Sequence, residues 1–272
     1  MKKVFKTIIA IFAALIAISY VFGYQYLFKG ISKTYLRGET SATIDDGPLF
    51  TNSPIHAGKP RPWIKDSAYN TKKLPKTLVE DLTNTNTAAF VVIKDGKILH
   101  EEYWDGYGPT SKTNSFSMAK GITSLLMGKA IDEGKFKSEN QKISDFYENY
   151  KNIPFGKEAT IKNLVTMEAG LDWDEAYYNP FGPNAKAYYG NSLAETTLLR
   201  GFKDKPGTKF EYQSGATQLL GFVLRKAINQ PIASYATHKL WTPLGMEQNA
   251  YWSTDDNNME KTFCCIHSNA KD

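Results

Sequence analysis

The stretch Asn114-Ser115-Phe116-Ser117-Met118-Ala119-Lys120 decides how the rest of this chain is interpreted. Ser117 directly precedes a run in which apolar residues recur at helical spacing, and Gly134 closes that run. This pattern predicts a helix that begins beside Ser117. Because residues three positions apart share one face of a helix, the Lys120 amine can reach the Ser117 hydroxyl.

A serine and a lysine in this arrangement can carry out nucleophilic catalysis. A serine hydroxyl is a weak nucleophile unless a nearby base accepts its proton. The positive end of the helix dipole and burial in an apolar helix both favour the neutral amine that a base requires. The ordinary alternative is that Ser117 caps the helix and Lys120 is solvated. A second match, Ser268-Asn269-Ala270-Lys271, has no apolar helix after it, and we interpret it as a chance occurrence.

Upstream of this helix, the sequence predicts a β-hairpin. The apolar run from Ala88 to Ile93 is followed by Asp95-Gly96, and the segment from Ile98 to Trp104 returns with alternating residue types. An Asp-Gly pair between two such runs is a strong signal for a two-residue hairpin turn.

Downstream, the sequence predicts short helices. Thr160 is a candidate N-cap, and Pro206-Gly207 marks a turn. The predicted elements are helices over 161–168, 193–201 and 215–228 and an extended segment over 209–212. A hairpin followed by a helix-rich region predicts an α+β fold, with an antiparallel sheet flanked by helices and a helical subdomain over roughly residues 140–250.

The segment Tyr212-Gln213-Ser214 lies between the turn and the last of these helices. A phenol beside a serine–lysine pair could relay a proton to a leaving group. Ser214 could hydrogen-bond Lys120 or a substrate amide. The alternative for Tyr212 is a half-buried sheet residue.

The N-terminus predicts a membrane segment. Lys2, Lys3 and Lys6 precede an uncharged stretch over residues 7–28 that is long enough to cross a bilayer. The aromatic residues at its far end (Tyr20, Tyr24 and Tyr26) are typical of a membrane interface. An uncleaved signal anchor over 1–28 is the favoured interpretation, and a cleaved signal peptide, which would leave a secreted body, is the alternative. Residues 29–77 are then expected to form an extended connector, and residues 78–272 the globular body.

The composition excludes several classes of protein. The 33 basic and 28 acidic residues are interspersed, which argues against nucleic-acid binding. Aromatic residues make up 13 % of the chain, which argues against disorder. The four histidines lie far apart, so we expect no metal site. The neighbouring Cys264 and Cys265 are not expected to form a structural disulfide.

Taken together, these segments resemble the serine β-lactamase and penicillin-binding-protein superfamily. The chain is most similar to its class C β-lactamase branch, with the related esterases and 6-aminohexanoate-dimer hydrolases. The Ser-x-x-Lys and Tyr-x-Ser segments carry the resemblance, with further support from residues 160–171, 206–221 and 240–246. The likeness covers roughly residues 78–270, and its specificity comes from the order of several segments.

The resemblance implies a catalytic mechanism. Ser117 would be the nucleophile, Lys120 its base and Tyr212 a second acid or base, while Ser214 would orient the substrate. The expected reaction is acyl transfer from a small-molecule amide or ester, such as a β-lactam, a peptide or a small ester. No metal or organic cofactor is implied, and the body would lie outside the cytoplasm, in the periplasm or at the cell surface.

The chain also departs from the family pattern. No Lys-Thr-Gly or His-x-Gly segment follows Tyr212, and His56-Ala57-Gly58 comes before the nucleophile. Relatives typically continue well beyond the position of Asp272, so we expect a C-terminally truncated domain with impaired activity. Its sheet would be reduced to essentially one hairpin with an exposed edge.

Two further hypotheses concern the substrate and the function. The loop from Asp172 to Pro183 could line the pocket with Trp173, Tyr177, Tyr178 and Phe181, although core packing is the alternative for these side chains. The alternative function is a non-catalytic, membrane-anchored penicillin-binding or peptidoglycan-sensing protein. Neither the oligomeric state nor the redox state of the cysteines follows from the sequence.

Overall fold

The computed structural model describes residues 2–272, leaving out the side chains at positions 2, 8, 9, 12 and 15. Its strands are β1 (Asn52–Ile55), β2 (Ile64–Lys65), β3 (Ala89–Lys94), β4 (Lys97–Tyr103), β5 (Thr113–Asn114), β6 (Ala250–Ser253) and β7 (Ile266–Ser268). Its α-helices are α1 (Lys2–Val21), α2 (Tyr26–Lys33), α3 (Lys76–Asn84), α4 (Met118–Asp132), α5 (Ile161–Val165), α6 (Pro183–Tyr189), α7 (Leu193–Thr197), α8 (Ser214–Ile228), α9 (Ile232–Ala236) and α10 (Thr242–Leu244). Short 3-10 turns and one π-helical turn (Thr237–Trp241) connect them.

The predicted hairpin is confirmed. Strands β3 and β4 pair in antiparallel register, with one bulge between Val92 and Ile93. The turn residues Asp95 and Gly96 both have positive φ, at 50° and 73°, as a two-residue primed turn requires. The short strand β2 runs parallel to β4, so the sheet order is β2-β4-β3.

A second sheet was not anticipated. It has the order β1-β6-β7-β5, and its first strand comes from the segment expected to be an extended connector. Pro54 is tolerated in β1 because this strand lies at the sheet edge, where a missing backbone N–H breaks no ladder. The expectation of a sheet reduced to one hairpin is therefore wrong.

Helix α8 is the centre of the core. Its side chains are buried along almost the whole length from Ser214 to Leu224, and α4, α5, α6, α7 and α9 all contact it. Because the flanking helices cover it on several sides, α8 has no solvated stripe over most of its length. The predicted helix that begins beside Ser117 and the predicted helix over 215–228 are both confirmed.

The helices α5 and α7 are shorter than predicted. The N-cap of α5 is confirmed, because Thr160 and Asn163 form a reciprocal capping box. The helix then stops at Val165, since Met167 and Gly170 take left-handed backbone conformations with φ of 59° and 66°. The segment over 209–212 belongs to neither sheet.

The N-terminal region forms two helices instead of one continuous span. The chain turns at Gly23, whose φ is 72°, between α1 and α2. Tyr26 is buried against the body, where its hydroxyl donates to the Pro180 carbonyl, so it is not free for a membrane interface. Among the residues described, no helix is both long and apolar enough to cross a membrane. The predicted anchor includes positions 8, 9, 12 and 15, whose side chains lie outside that description, and it stays a prediction.

The cysteine expectation is wrong as well. The structure joins Cys264 and Cys265 as a disulfide between neighbouring residues. Cys265 has a positive φ of 73°, so the chain turns sharply between the two residues. Both cysteines are buried in the core.

Candidate active site

The predicted serine–lysine pair is formed. Ser117 is the exposed N-cap residue of α4, and Lys120 lies beneath it with only 6 % of its surface exposed. Lys120 Nζ is 3.1 Å from Ser117 Oγ, to which it donates a hydrogen bond. The one-turn spacing thus brings a buried amine to an accessible hydroxyl.

The residues before Ser117 fix the direction of its side chain. Phe116 has a φ of 44°, a backbone conformation that costs a non-glycine residue about 1–3 kcal/mol. The side chain of buried Asn114 holds this turn, because its Oδ1 accepts a hydrogen bond of 2.9 Å from the Phe116 N–H. Asn114 Nδ2 donates in turn to the Tyr188 hydroxyl. Asn114 is therefore a positioning residue that the sequence analysis missed.

A backbone carbonyl fixes the other side of Lys120. Its Nζ donates to the Phe263 carbonyl at 2.8 Å. The amide of Gln218 on α8 holds the backbone of residues 260–262, which lead into Phe263. Its Nε2 donates to the Glu260 carbonyl, and its Oε1 accepts from the Thr262 N–H. The amine is thus held between two rigid elements. A carbonyl carries no side-chain signal, so this contact could not be found in the sequence.

The side chain of Tyr212 lies beside the Lys120 amine. The centroid of its ring lies 5.0 Å from Lys120 Nζ, and the side chain is 40 % exposed. The hydroxyl-bearing Ser117, the buried amine and the phenol therefore meet at one exposed corner of the molecule, as the sequence predicts. Tyr212 lies outside both sheets, which removes the alternative of a half-buried sheet residue.

The environment favours the neutral form of the lysine. Burial lowers the pKa of Lys120 below the usual 10.5, and it outweighs the neighbouring Tyr212 and the Glu175 carboxylate, which raise it. A lysine whose pKa is lowered can accept a proton at a lower pH than a solvated one.

Glu175 is a second residue that the sequence analysis missed. Its carboxylate accepts hydrogen bonds from the Ser214 N–H at 2.7 Å, from the Ser214 hydroxyl at 2.6 Å and from the Tyr177 hydroxyl at 2.6 Å. It thereby caps the first turn of α8, where a negative charge is favourable. An acidic residue in a loop of unknown course offers no signal for this contact.

Ser214 lies beside the corner but is buried, and its hydroxyl donates to Glu175. The hydroxyl proton is thus not directed at Lys120, whose hydrogen bonds go to Ser117 and Phe263. Ser214 connects the corner formed by Ser117, Lys120 and Tyr212 to the loop from Asp172 to Pro183.

That loop separates the four proposed pocket residues into two groups. Trp173 is only 1 % exposed, and its Nε1 donates to Asn184 at 2.9 Å, which favours core packing. Tyr177, Tyr178 and Phe181 are exposed, with Tyr178 at 91 %. Partial desolvation of the Tyr177 hydroxyl raises its pKa, and the bond to the Glu175 carboxylate raises it further.

The side chains of the second Ser-x-x-Lys match have other partners. Ser268 lies in β7, and Lys271 Nζ faces the carboxylates of Glu101 and Glu247 at 3.7 Å and 3.8 Å, away from any serine nucleophile. This supports the interpretation of Ser268-Asn269-Ala270-Lys271 as a chance match. In the part of the chain that is described, no three His, Cys, Asp or Glu side chains are grouped to hold a metal ion.

The chain is similar in sequence to several known proteins. The family model for Beta-lactamase matches residues 76–262. The 6-aminohexanoate-dimer hydrolase of Paenarthrobacter ureafaciens is 22 % identical over 190 residues, covering 65 % of this chain and 47 % of that protein. Protein flp of Staphylococcus aureus strain N315 is 25 % identical over 203 residues, covering 68 % of this chain and 39 % of that protein. The chain thus spans less than half the length of these curated relatives.

Solved structures share the fold. A Bacillus anthracis protein provisionally assigned as a 6-aminohexanoate-dimer hydrolase superimposes with a TM-score of 0.73 at 20 % identity, covering 88 % of this chain and 66 % of the other. A class C beta-lactamase gives a TM-score of 0.51 at 17 % identity over 71 % of this chain and 60 % of the other. The α+β fold is therefore that of the β-lactamases and transpeptidases. Since the family model covers the helix of Ser117 and Lys120 together with the Tyr212 segment, the chain belongs to the beta-lactamase family.

Proposed function

We propose that this chain is a serine hydrolase that cleaves an amide or ester through an acyl-enzyme on Ser117. The observation that carries the proposal is the 3.1 Å contact between the buried Lys120 amine and the exposed Ser117 hydroxyl. A buried amine with a lowered pKa beside an accessible hydroxyl is the arrangement that an activated serine needs.

The chemical steps follow from this contact. Neutral Lys120 accepts the Ser117 proton while Oγ forms a bond to the substrate carbonyl carbon. The negative charge then develops on the carbonyl oxygen. In the region covering residues 2–272, the Ser117 backbone N–H has no hydrogen-bond acceptor, so it is free to donate to that oxygen.

Attack by Oγ gives a tetrahedral intermediate on Ser117. When this intermediate collapses, the bond from the carbonyl carbon to the leaving group breaks. The Tyr212 hydroxyl protonates the departing nitrogen or oxygen, and the Lys120 ammonium returns a proton to Tyr212. Water then adds to the acyl carbon and gives a proton to the neutral Lys120 amine. The bond from the acyl carbon to Ser117 Oγ breaks, and Oγ takes that proton back, which releases the acid and restores Ser117.

The substrate is proposed to be a small molecule. A β-lactam, a peptide, a small ester and a linear amide all present the carbonyl that this chemistry requires, and the hydrolase relative is named for a linear amide. The exposed rings of Tyr177, Tyr178 and Phe181 are the groups that we propose contact it. No cofactor enters the proposed steps.

We also propose that the N-terminal region anchors the protein, with the catalytic body outside the cytoplasm. The described apolar side chains of α1 are largely exposed, among them Val4, Phe5 and Ile11. Exposed apolar side chains on a helix fit a lipid environment.

Covalent labelling tests the proposed function. A fluorophosphonate forms a phosphorus–oxygen bond to an activated serine and releases fluoride, so intact-protein mass spectrometry detects one adduct. We expect labelling of the wild type and of Ser268→Ala, which alters the chance Ser-x-x-Lys match, and no labelling of Ser117→Ala. Equal labelling of Ser117→Ala would overturn the proposal. A stable adduct with fluorescent penicillin and no turnover of any ester or amide would instead favour the non-catalytic, penicillin-binding alternative.

A further inference from the structure

A small polar cavity lies away from the catalytic corner, between α2 and the body of the protein. Its volume is about 90 Å³, and its lining includes Lys29, Lys33, Phe50, Asp256 and Lys261. None of these residues takes part in the proposed catalytic steps. We call this the lysine cavity.

Lys261 is the buried lysine of the lysine cavity. Its side chain is 1 % exposed, and its Nζ donates to the Tyr188 carbonyl at 2.6 Å and lies 3.5 Å from the centroid of the Phe50 ring. An ammonium group has three N–H donors. Among residues 2–272, no carboxylate lies within ion-pair distance of Lys261 Nζ. Burying an ammonium without a carboxylate partner is unfavourable.

The neighbouring lysines increase the positive charge. Lys33 Nζ donates to the Leu49 carbonyl and lies 4.3 Å from the same Phe50 ring. Lys29 Nζ pairs with Asp256 at 2.8 Å. The lining thus brings three lysine amines together with one carboxylate.

The charges that reach Lys261 come from several elements. Burial lowers the pKa of Lys261, Lys33 and Lys29 lower it further, and Asp255 and Asp256 oppose them. An anion in the cavity would stabilise the ammonium form, so its binding would be coupled to proton uptake.

We propose that the lysine cavity binds a phosphate group, supplied either by free inorganic phosphate or by the headgroup of an anionic phospholipid. A phosphate presents several charged oxygens in a compact volume, which suits separate ammonium groups that approach from α2 and from the segment at Lys261. The cavity volume of about 90 Å³ suits a small anion and is well below the roughly 300 Å³ or more of a pocket for a typical organic ligand.

The position of the cavity is consistent with either source. Lys29 and Lys33 lie on α2, which follows the apolar helix α1 after one short turn. A basic segment at this place is attracted to an anionic lipid surface. Free phosphate would reach the cavity without a membrane.

Calorimetry on the full chain tests the site with inorganic phosphate as the probe. We expect saturable binding to the wild type that weakens about tenfold to a hundredfold in Lys33→Gln and in Lys261→Met. Lys162→Gln is the control, since it removes a lysine charge outside the lysine cavity, where Lys162 pairs with Glu139, and it should bind as the wild type does. If Lys261→Met does not fold, Lys33→Gln still provides the test.

Vesicles separate the two sources. We compare binding to pure phosphatidylcholine with binding to an equal mixture of phosphatidylcholine and phosphatidylglycerol. Inorganic phosphate binding that is lost in the lysine variants supports a free-phosphate site. A preference for phosphatidylglycerol that is lost in the same variants, without binding of inorganic phosphate, supports the headgroup. The absence of both, or binding that is unchanged in both variants, overturns the proposal.

Discussion

Replacing Gly215 with alanine would place a methyl group inside the volume of the Trp173 indole. The new Cβ would lie 2.2 Å from Cε3 and 2.3 Å from Cδ2 of that ring. Carbon atoms in contact normally lie about 3.5–4.0 Å apart, so the indole or the first turn of α8 must move by about 1 Å or more.

Two effects of opposite sign decide the outcome. Alanine is favoured over glycine within a helix by about 1 kcal/mol. Overpacking a core costs about 1–3 kcal/mol, and displacing Trp173 would also disturb its 2.9 Å bond to Asn184, worth about 1 kcal/mol. We therefore expect Gly215→Ala to lower the free energy of unfolding by about 1–3 kcal/mol.

Urea unfolding measures this difference, and α4 supplies a matched control. Gly128 also lies within a helix, but a Cβ at this position would meet no atom within 4 Å. Gly128→Ala should therefore raise the free energy of unfolding by up to about 1 kcal/mol. Equal stabilisation by the two substitutions would refute the packing of Trp173 beneath α8.

Further predictions concern the residues around the corner. Trp173→Ala should cost about 3–5 kcal/mol in urea unfolding, and a change of less than 1 kcal/mol would contradict its burial. Glu175→Gln removes a negative charge that stabilises the Lys120 ammonium, so the pKa of Lys120 should fall. The pH at which the rate of Ser117 labelling rises should therefore move to a lower value. A move to a higher pH would contradict this role of Glu175. Asn114→Ala removes the acceptor that holds the turn at Phe116, so the labelling of Ser117 should slow and the free energy of unfolding should fall by about 1–3 kcal/mol. Labelling at the wild-type rate would exclude a positioning role for Asn114.

The local parts of the fold could be predicted from the sequence. The hairpin is specified by alternation and by Asp95-Gly96, and the helix of Ser117 is specified by its own apolar spacing. The contact between Lys120 and Ser117 follows from the geometry of one helical turn. Each of these features depends only on neighbouring residues.

The non-local parts could not be predicted. Strand β1 pairs with β6, and the bond between Ser253 and Asn52 joins residues 201 positions apart, which no short window of sequence specifies. The same holds for the contacts of Lys120 with the Phe263 carbonyl and of Ser214 with Glu175. Burial of Trp173 depends on the absence of a side chain at Gly215, which becomes evident only when the loop and α8 are packed together.

The most direct measurement of the central claim is the rate at which a fluorophosphonate labels Ser117 across a range of pH. With wild-type protein, the rate should rise with pH as Lys120 loses its proton, below the pH at which a solvated lysine titrates. Lys120→Met should slow labelling by about a hundredfold or more and abolish this rise, because the base is removed. Lys129→Met, which alters an exposed lysine of the same helix, should match the wild type. A wild-type rate and pH profile in Lys120→Met would contradict the account.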